Sequence, residues 1–280
     1  MGELVFIGAG LGDERDLSRR ALERLRSCDT IFCEAYTARF DPGALDRLAK
    51  EVARPIRCLD RAQVEEPEEI LAALAGPRRV AFVVPGDPFA ATTHVALRLA
   101  AERAGHSWSY LPNASVLTSA ASYLGLQHYR FGRVVSLPFP EAHFAPTSPL
   151  EMIDANRRSG LHTLVLLDLR PAEGRYLGAG EAIRVLAERD ADLGRFPPGI
   201  EVAVVARVGT DEARAWYGPR ERLADTEFGP PLHALVVPAP ELHFEEAAAL
   251  ERFRSSPERP AVPGSPPRRP SPPARNDGPG

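Results

Sequence analysis

Hydrophobic and polar positions along the chain fall into two alternating patterns. Short, nearly unbroken apolar runs occur at Leu4-Val5-Phe6-Ile7, Thr30 to Glu34, Pro55 to Leu59, Arg79 to Val84 and Ser107 to Leu111. Runs of that length bounded by turn residues predict buried strands. Between them lie amphipathic stretches. Asp16 is placed to cap a helix reaching about Arg26, with Leu17, Ala21, Leu22 and Leu25 on one face. Further helices are predicted from Gly43 to Val52, Glu66 to Ala75 and Thr92 to Ala104. A βαβ series of this kind predicts a mostly parallel sheet covered by helices.

After Ser115 the rhythm changes. A helix rich in small residues, Ser115 to Tyr123, precedes a strand at Val134 to Leu137, a Pro-rich loop over 138–149 and a helix over 150–158. A strand follows at Leu161 to Leu169, then a helix at Ala179 to Glu188 and a strand at Glu201 to Val208. A strand from Leu232 to Val237 and a helix from Phe244 to Phe253 close the pattern. The fold class expected is α/β, with an N-terminal α/β domain over 1–113 and a C-terminal α/β domain over 114–253.

Composition sharpens the C-terminal limit. The chain has 280 residues, 44% of them hydrophobic, with a net charge of −4, which suits one large or two medium globular domains. Nine of its 28 prolines lie between Pro257 and Pro279. That stretch cannot bury enough apolar surface to offset chain entropy, so 254–280 is expected to be a disordered Pro/Arg-rich tail. The tail carries a charge of +3, leaving −7 on residues 1–253. An acidic body argues against direct nucleic-acid binding. No apolar run is long enough to span a bilayer, and no basic leader precedes the first strand. The expected location is cytoplasmic, with Cys28, Cys33 and Cys58 as reduced thiols.

Three strand ends carry candidate chemistry. The first, Gly8-Ala9-Gly10-Leu11-Gly12, would let backbone approach a ligand, and Glu34 ends the next strand where a dinucleotide ribose is often bound. The dinucleotide spacing fails, because Asp13 stands where the third glycine belongs and Asp13, Glu14 and Asp16 would face a pyrophosphate. A glycine turn serving packing alone is the other reading. The second, Pro85-Gly86-Asp87-Pro88 running on to His94, is a stiff loop whose Asp87 accepts hydrogen bonds from a ligand or caps a helix. The third, Asn113-Ala114-Ser115-Val116, lines a pocket or supplies an ordinary N-cap at Ser115. His162 and His233, beside strands, are expected as satisfied structural histidines. No metal cluster, nucleophile elbow or phosphate loop is present in the sequence, and no catalytic acid–base pair stands out. Ligand-shaped loops with few reactive side chains suit a reaction driven by a cofactor's own reactivity, such as methyl transfer from a sulfonium.

Longer motifs point to a family. Phe6 to Asp16, Cys33-Glu34-Ala35-Tyr36-Thr37 and Pro85 to His94 resemble the diphthine synthase (diphthine methyltransferase) family of the tetrapyrrole methylase superfamily. The resemblance continues through Tyr129-Arg130-Phe131-Gly132, Gly160-Leu161-His162-Thr163-Leu164, Leu167-Asp168, Ala206-Arg207-Val208-Gly209 and Gly229-Pro230-Pro231-Leu232-His233, and covers about residues 3–250. It implies two α/β domains of the tetrapyrrole methylase type with S-adenosylmethionine (SAM) in the interdomain cleft, usually in a homodimer. It implies repeated N-methylation of a modified histidine, 2-(3-carboxy-3-aminopropyl)-histidine, on translation elongation factor 2 in diphthamide biosynthesis. By motif, the cofactor contacts it implies are Leu11, Asp87, Ala90, Ser115, Val116, Leu167, Val208 and His233; no catalytic base is assigned. Pro112 departs from the family, which usually has histidine there. A tetrapyrrole or another small acceptor is the alternative substrate, and a dinucleotide oxidoreductase the alternative class.

Overall fold

The structure is a computed structural model and describes residues 1–141, 146–191 and 193–254. The architecture is that of those residues. Apart from Arg254, the tail expected to be disordered lies outside them. Arg254 itself belongs to the body, pairing with Glu201 at 3.1 Å and Glu251 at 2.8 Å and covering the Tyr217 ring.

The first half alternates β1 (Glu3–Gly8), α1 (Arg19–Arg26), β2 (Thr30–Glu34), α2 (Ala44–Val52), β3 (Ile56–Leu59), α3 (Arg61–Glu65), α4 (Glu68–Ala73), β4 (Arg79–Val84), α5 (Val95–Arg103) and β5 (Ser107–Leu111). The five strands form one parallel sheet in the order β3-β2-β4-β1-β5. β1 and β4 are buried on both faces, which is why they read as unbroken apolar runs. One face packs on Leu25, Leu48 and Val52, and the other on Ile70, Leu74 and Leu97. Two local expectations fail. Ser18, not Asp16, caps α1, its hydroxyl accepting from the Ala21 amide, while Asp16 ends a 3-10 turn over Glu14–Asp16. The helix expected over 66–75 is preceded by the short α3, which Asp60 and Gln63 start with a capping box.

The cysteine reading also fails in part. Parallel pairing places Cys33 opposite Cys58, with Cα atoms 4.6 Å apart, and the two form a disulfide. Cys28 is free and buried, and burial pushes its thiol up to about 11.

The second half contains α6 (Val116–Leu124), β6 (Val135–Leu137), α7 (Ser148–Arg158), β7 (Thr163–Leu167), a small hairpin of β8 (Leu169–Arg170) and β9 (Arg175–Tyr176), α8 (Ala179–Arg189), β10 (Glu201–Ala206), β11 (Arg214–Pro219), α9 (Arg220–Ala224), β12 (His233–Val237) and α10 (Phe244–Glu251). Its sheet runs β11-β10-β12-β7-β6 and is mixed, with only β6 and β7 parallel. α10 is clamped to this sheet by a buried polar group. Glu246, fully buried, accepts from the Gln127 and His243 amides, from His162 Nε2 at 3.1 Å and from the Arg130 guanidinium. Burial opposes ionisation of Glu246, yet these donors outweigh it and hold the carboxyl below its ordinary range. His162 is the satisfied structural histidine expected, since its Nδ1 accepts from the Ala239 amide at 2.9 Å.

Candidate active site

The loops leaving β1, β4 and β5 meet at the carboxyl edge of the parallel sheet, where open α/β sheets bind ligands. Gly10 and Gly86 exchange backbone hydrogen bonds of 3.2 and 2.6 Å. Gly10 has φ +80° and lies so close to Asp16 that a Cβ would sit 2.6 Å from the Asp16 Cβ. The Asn113 side-chain amide donates to the Gly8 carbonyl at 2.9 Å and the Asp16 carbonyl at 3.0 Å, tying the third loop to the first. Asp87 accepts from the Phe89 amide at 3.0 Å, the Asn113 amide at 3.3 Å and the Tyr110 hydroxyl. Asp87 is therefore not a cap for α5, which begins eight residues later at Val95. His94 is buried, with Nδ1 2.8 Å from the Pro88 carbonyl and Nε2 3.2 Å from the Tyr36 hydroxyl. Burial lowers the His94 pKa.

Glu34, the residue that suggested ribose binding, is fully buried. Its carboxylate accepts from the Tyr36 amide at 2.9 Å, the Thr37 amide at 3.0 Å and the Thr37 hydroxyl. It folds the turn after β2 and does not reach a ligand.

A cavity of about 840 Å³ opens between the two sheets, lined from the first half by residues including Leu11, Gly12, Asp13, Asp16, Arg39 and Phe40. Its other walls include Val116, Arg207, Val208, Gly209, Thr210, Leu232 and His233. The halves touch where Gly209, at φ +91°, meets Leu11, and a Cβ there would lie 2.4 Å from the Leu11 Cβ. Arg207 adopts φ +52°, unusual for a side chain with a Cβ. Its guanidinium donates to the carbonyls of Glu212 at 3.3 Å, Phe228 at 3.1 Å and Pro230, which holds that conformation in place. Such over-determined outliers cluster at ligand sites.

Charges around the cavity are mostly committed. Asp13 forms a bidentate pair with Arg15, whose hydrogen bonds hold the carboxyl below its ordinary range. Glu14 pairs with Arg47 at 2.8 Å and is lowered for the same reason. Asp16 accepts from the Gly12 amide at 2.7 Å. His233 accepts from the Ala179 amide at its Nδ1, 3.3 Å away, and donates from Nε2 to the Pro230 carbonyl at 3.1 Å. Burial, and then the Arg207 charge, lower its pKa, so it faces the cavity as a neutral ring.

Of the eight cofactor contacts implied by motif, Leu11, Val116, Val208 and His233 line this one cavity. Ser115 does not; its hydroxyl caps α6 by accepting from the Leu117 amide at 3.2 Å. Asp87 lies in the loop bundle, next to Gly86, where an added Cβ would come 3.9 Å from the Leu11 side chain. Ala90 and Leu167 lie off the lining. Arg39, Asp16 and the Pro230-Pro231-Leu232 turn are lining residues that the sequence reading did not single out as contacts. Arg39 has no motif signal beyond its place in the loop after β2. Among the described residues no cluster of His, Cys, Asp and Glu could hold a metal ion, and no helix is long and apolar enough to cross a membrane.

The cavity volume falls within the range of about 300–1,000 Å³ typical of small-molecule sites. A lining that combines apolar Leu11, Val116, Val208 and Leu232 with the Asp16 carboxylate, which has no ion pair among the described residues, fits a ligand with a flat aromatic end and a cationic centre. SAM has that chemistry.

The chain belongs to the tetrapyrrole (corrin/porphyrin) methylase family, whose profile matches residues 3–224, and is thus a SAM-dependent methyltransferase. Within that class it is similar to diphthine synthases. It is 37% identical over 256 residues to the diphthine synthase of Methanothermobacter thermautotrophicus, covering 91% of this chain and 96% of the relative. It is 40% identical to that of Methanoregula boonei over 252 residues, or 89% and 98% of the two chains. A crystal structure of diphthine synthase superposes with a TM-score of 0.81 at 33% identity, covering 91% of this chain and 97% of that one.

Proposed function

We propose that this enzyme is a diphthine synthase, which repeatedly methylates the amino group of 2-(3-carboxy-3-aminopropyl)-histidine on translation elongation factor 2 in diphthamide biosynthesis. The observation carrying this reading is the convergence of Leu11, Val116, Val208 and His233 on one cavity, in a chain that matches diphthine synthases over nearly its whole length.

In this reading Leu11, Val116 and Val208 sandwich the apolar part of SAM, and neutral His233 adds a polar edge without adding positive charge. Asp87 and Asn113 hold the three loops in register, and Ser115 fixes the start of α6. Ala90 and Leu167, which do not line the cavity, are contacts by motif alone. SAM, when bound, supplies an electrophilic methyl group on a sulfonium. The Asp16 carboxylate, which has no ion pair among the described residues, favours a cation in the cleft, and the close Gly209–Leu11 contact limits the room left for water. The substrate amine is aligned with the methyl group, and proximity supplies much of the rate.

We further propose a cytoplasmic homodimer, as the family resemblance implies. Incubation with labelled SAM and either the elongation factor or a porphyrinoid separates the substrate readings. Label in the protein acceptor supports diphthine synthase, and label only in the porphyrinoid overturns it.

A further inference from the structure

Three cations line the cavity, and two of them are already occupied. Arg15 is paired with Asp13, and Arg207 is spent on three backbone carbonyls. The third, Arg39, is exposed and has no partner among the described residues. The carboxylates nearest to it in sequence or on the facing loop are engaged elsewhere. Asp41 lies 3.7 Å from Arg47, Glu14 pairs with the same arginine, and Asp13 has Arg15. The loop carrying Arg39 is nevertheless anchored on both sides. Glu34 folds its start through Tyr36 and Thr37, and Phe40 packs against the core beneath the first sheet. An exposed, unpaired guanidinium on an anchored loop thus lines the same cavity as His233 and Val208.

We propose that Arg39 is a specificity-determining residue that binds the carboxylate of the aminocarboxypropyl side chain of the substrate. The inference rests on the diphthine synthase reading and deepens it. That side chain carries an amine and a carboxylate on one carbon, and both are nucleophiles toward a sulfonium methyl. A guanidinium engages a carboxylate through two parallel N–H···O bonds. With both oxygens so occupied, the amine is left to turn toward the methyl donor. In each transfer the amine nitrogen forms a bond to the methyl carbon. The carbon–sulfur bond breaks with its electron pair remaining on sulfur, and before each attack the substrate ammonium gives one proton to solvent to expose the nitrogen lone pair. Arg39 takes no part in these bond changes; it sets which nucleophile is presented.

The test compares the wild-type chain with Arg39→Ala and Arg39→Lys, using elongation factor 2 bearing the aminocarboxypropyl histidine. Arg39→Ala is expected to raise KM for the factor by at least about tenfold, with SAM affinity within twofold of wild type. Arg39→Lys, which keeps the charge but loses the fork, is expected to recover part of that loss. Unfolding midpoints should be unchanged, since Arg39 makes no contact that holds the fold. Unaltered KM for the factor in Arg39→Ala overturns the inference while leaving the diphthine synthase reading intact. So does a parallel loss of SAM affinity, which would mark a general disturbance of the cleft. A wild-type chain that does not methylate the factor overturns both.

Discussion

The contact between Gly209 and Leu11 joins the two halves of the cleft, and replacing Gly209 with alanine tests whether that closeness matters. The added methyl would sit 2.4 Å from the Leu11 Cβ, about 1 Å short of an ordinary carbon contact. Both atoms are next to backbone, so no side-chain rotation relieves the clash. The residue also has φ +91°, where a Cβ is disfavoured. Left-handed backbone strain of about 1–2 kcal/mol and overpacking of about 1–3 kcal/mol together predict a loss of ~2–5 kcal/mol in folding stability. Gly76 provides the control, with φ +77° and nothing within 4 Å of an added Cβ. Gly76→Ala should show only the backbone strain, about 1–2 kcal/mol. Denaturant unfolding separates the two variants, and calorimetry reads SAM binding. Gly209→Ala should weaken SAM binding by ~10-fold, about 1.4 kcal/mol, because Leu11 must move, whereas Gly76→Ala should bind as wild type does. Wild-type SAM affinity in Gly209→Ala, with a stability no lower than that of Gly76→Ala, would refute the claim that this contact shapes the site.

Removing the carboxylate in Glu246→Ala strands the Arg130 charge, the His162 Nε2–H and two amides. A loss of about 3–5 kcal/mol is expected in urea unfolding, and a loss under about 1 kcal/mol would show the network to be incidental. Burial depresses the pKa values of His94, His162 and His233 in the folded chain. The unfolded chain therefore takes up protons first as pH falls through about 6.5, and stability should drop from there downward. An unfolding midpoint equal at pH 8 and pH 5.5 would contradict that sign. Alkylation of the denatured, unreduced protein should modify only Cys28. After reduction, loss of a cross-link with a sequence separation of 25 should cost about 3 kcal/mol; three reactive thiols before reduction would remove the disulfide from the account.

Much of the first half was legible from pattern. Strands Thr30–Glu34, Arg79–Val84 and Ser107–Leu111 lie where their apolar runs end at turn residues. What escaped notice has identifiable physical causes. β11 reads Arg-Ala-Trp-Tyr-Gly-Pro, and Gly-Pro marks a turn in a sequence. It is tolerated in β11 because the strand is at the sheet edge. The choice of Ser18 over Asp16 as the cap of α1 depended on one intervening 3-10 turn. Glu34 looked like a ribose ligand because strand position says nothing of where a carboxylate finds its donors. The disulfide followed from β2–β3 register, which the separate runs did not reveal. The glycine-rich and Pro-Gly-Asp-Pro loops were visible as ligand loops. Their partners across the cleft, Arg207, Gly209 and the turn at Pro230, come from the far end of the chain and are brought there only by tertiary folding.

The central claim is that this methyltransferase acts on the modified histidine of elongation factor 2. Mass spectrometry of the factor, carrying the aminocarboxypropyl histidine and incubated with the enzyme and SAM, tests it most directly. Successive methyl additions on that one residue, dependent on SAM, are expected. A factor that stays unmodified, while the enzyme methylates a porphyrinoid under the same conditions, would contradict it.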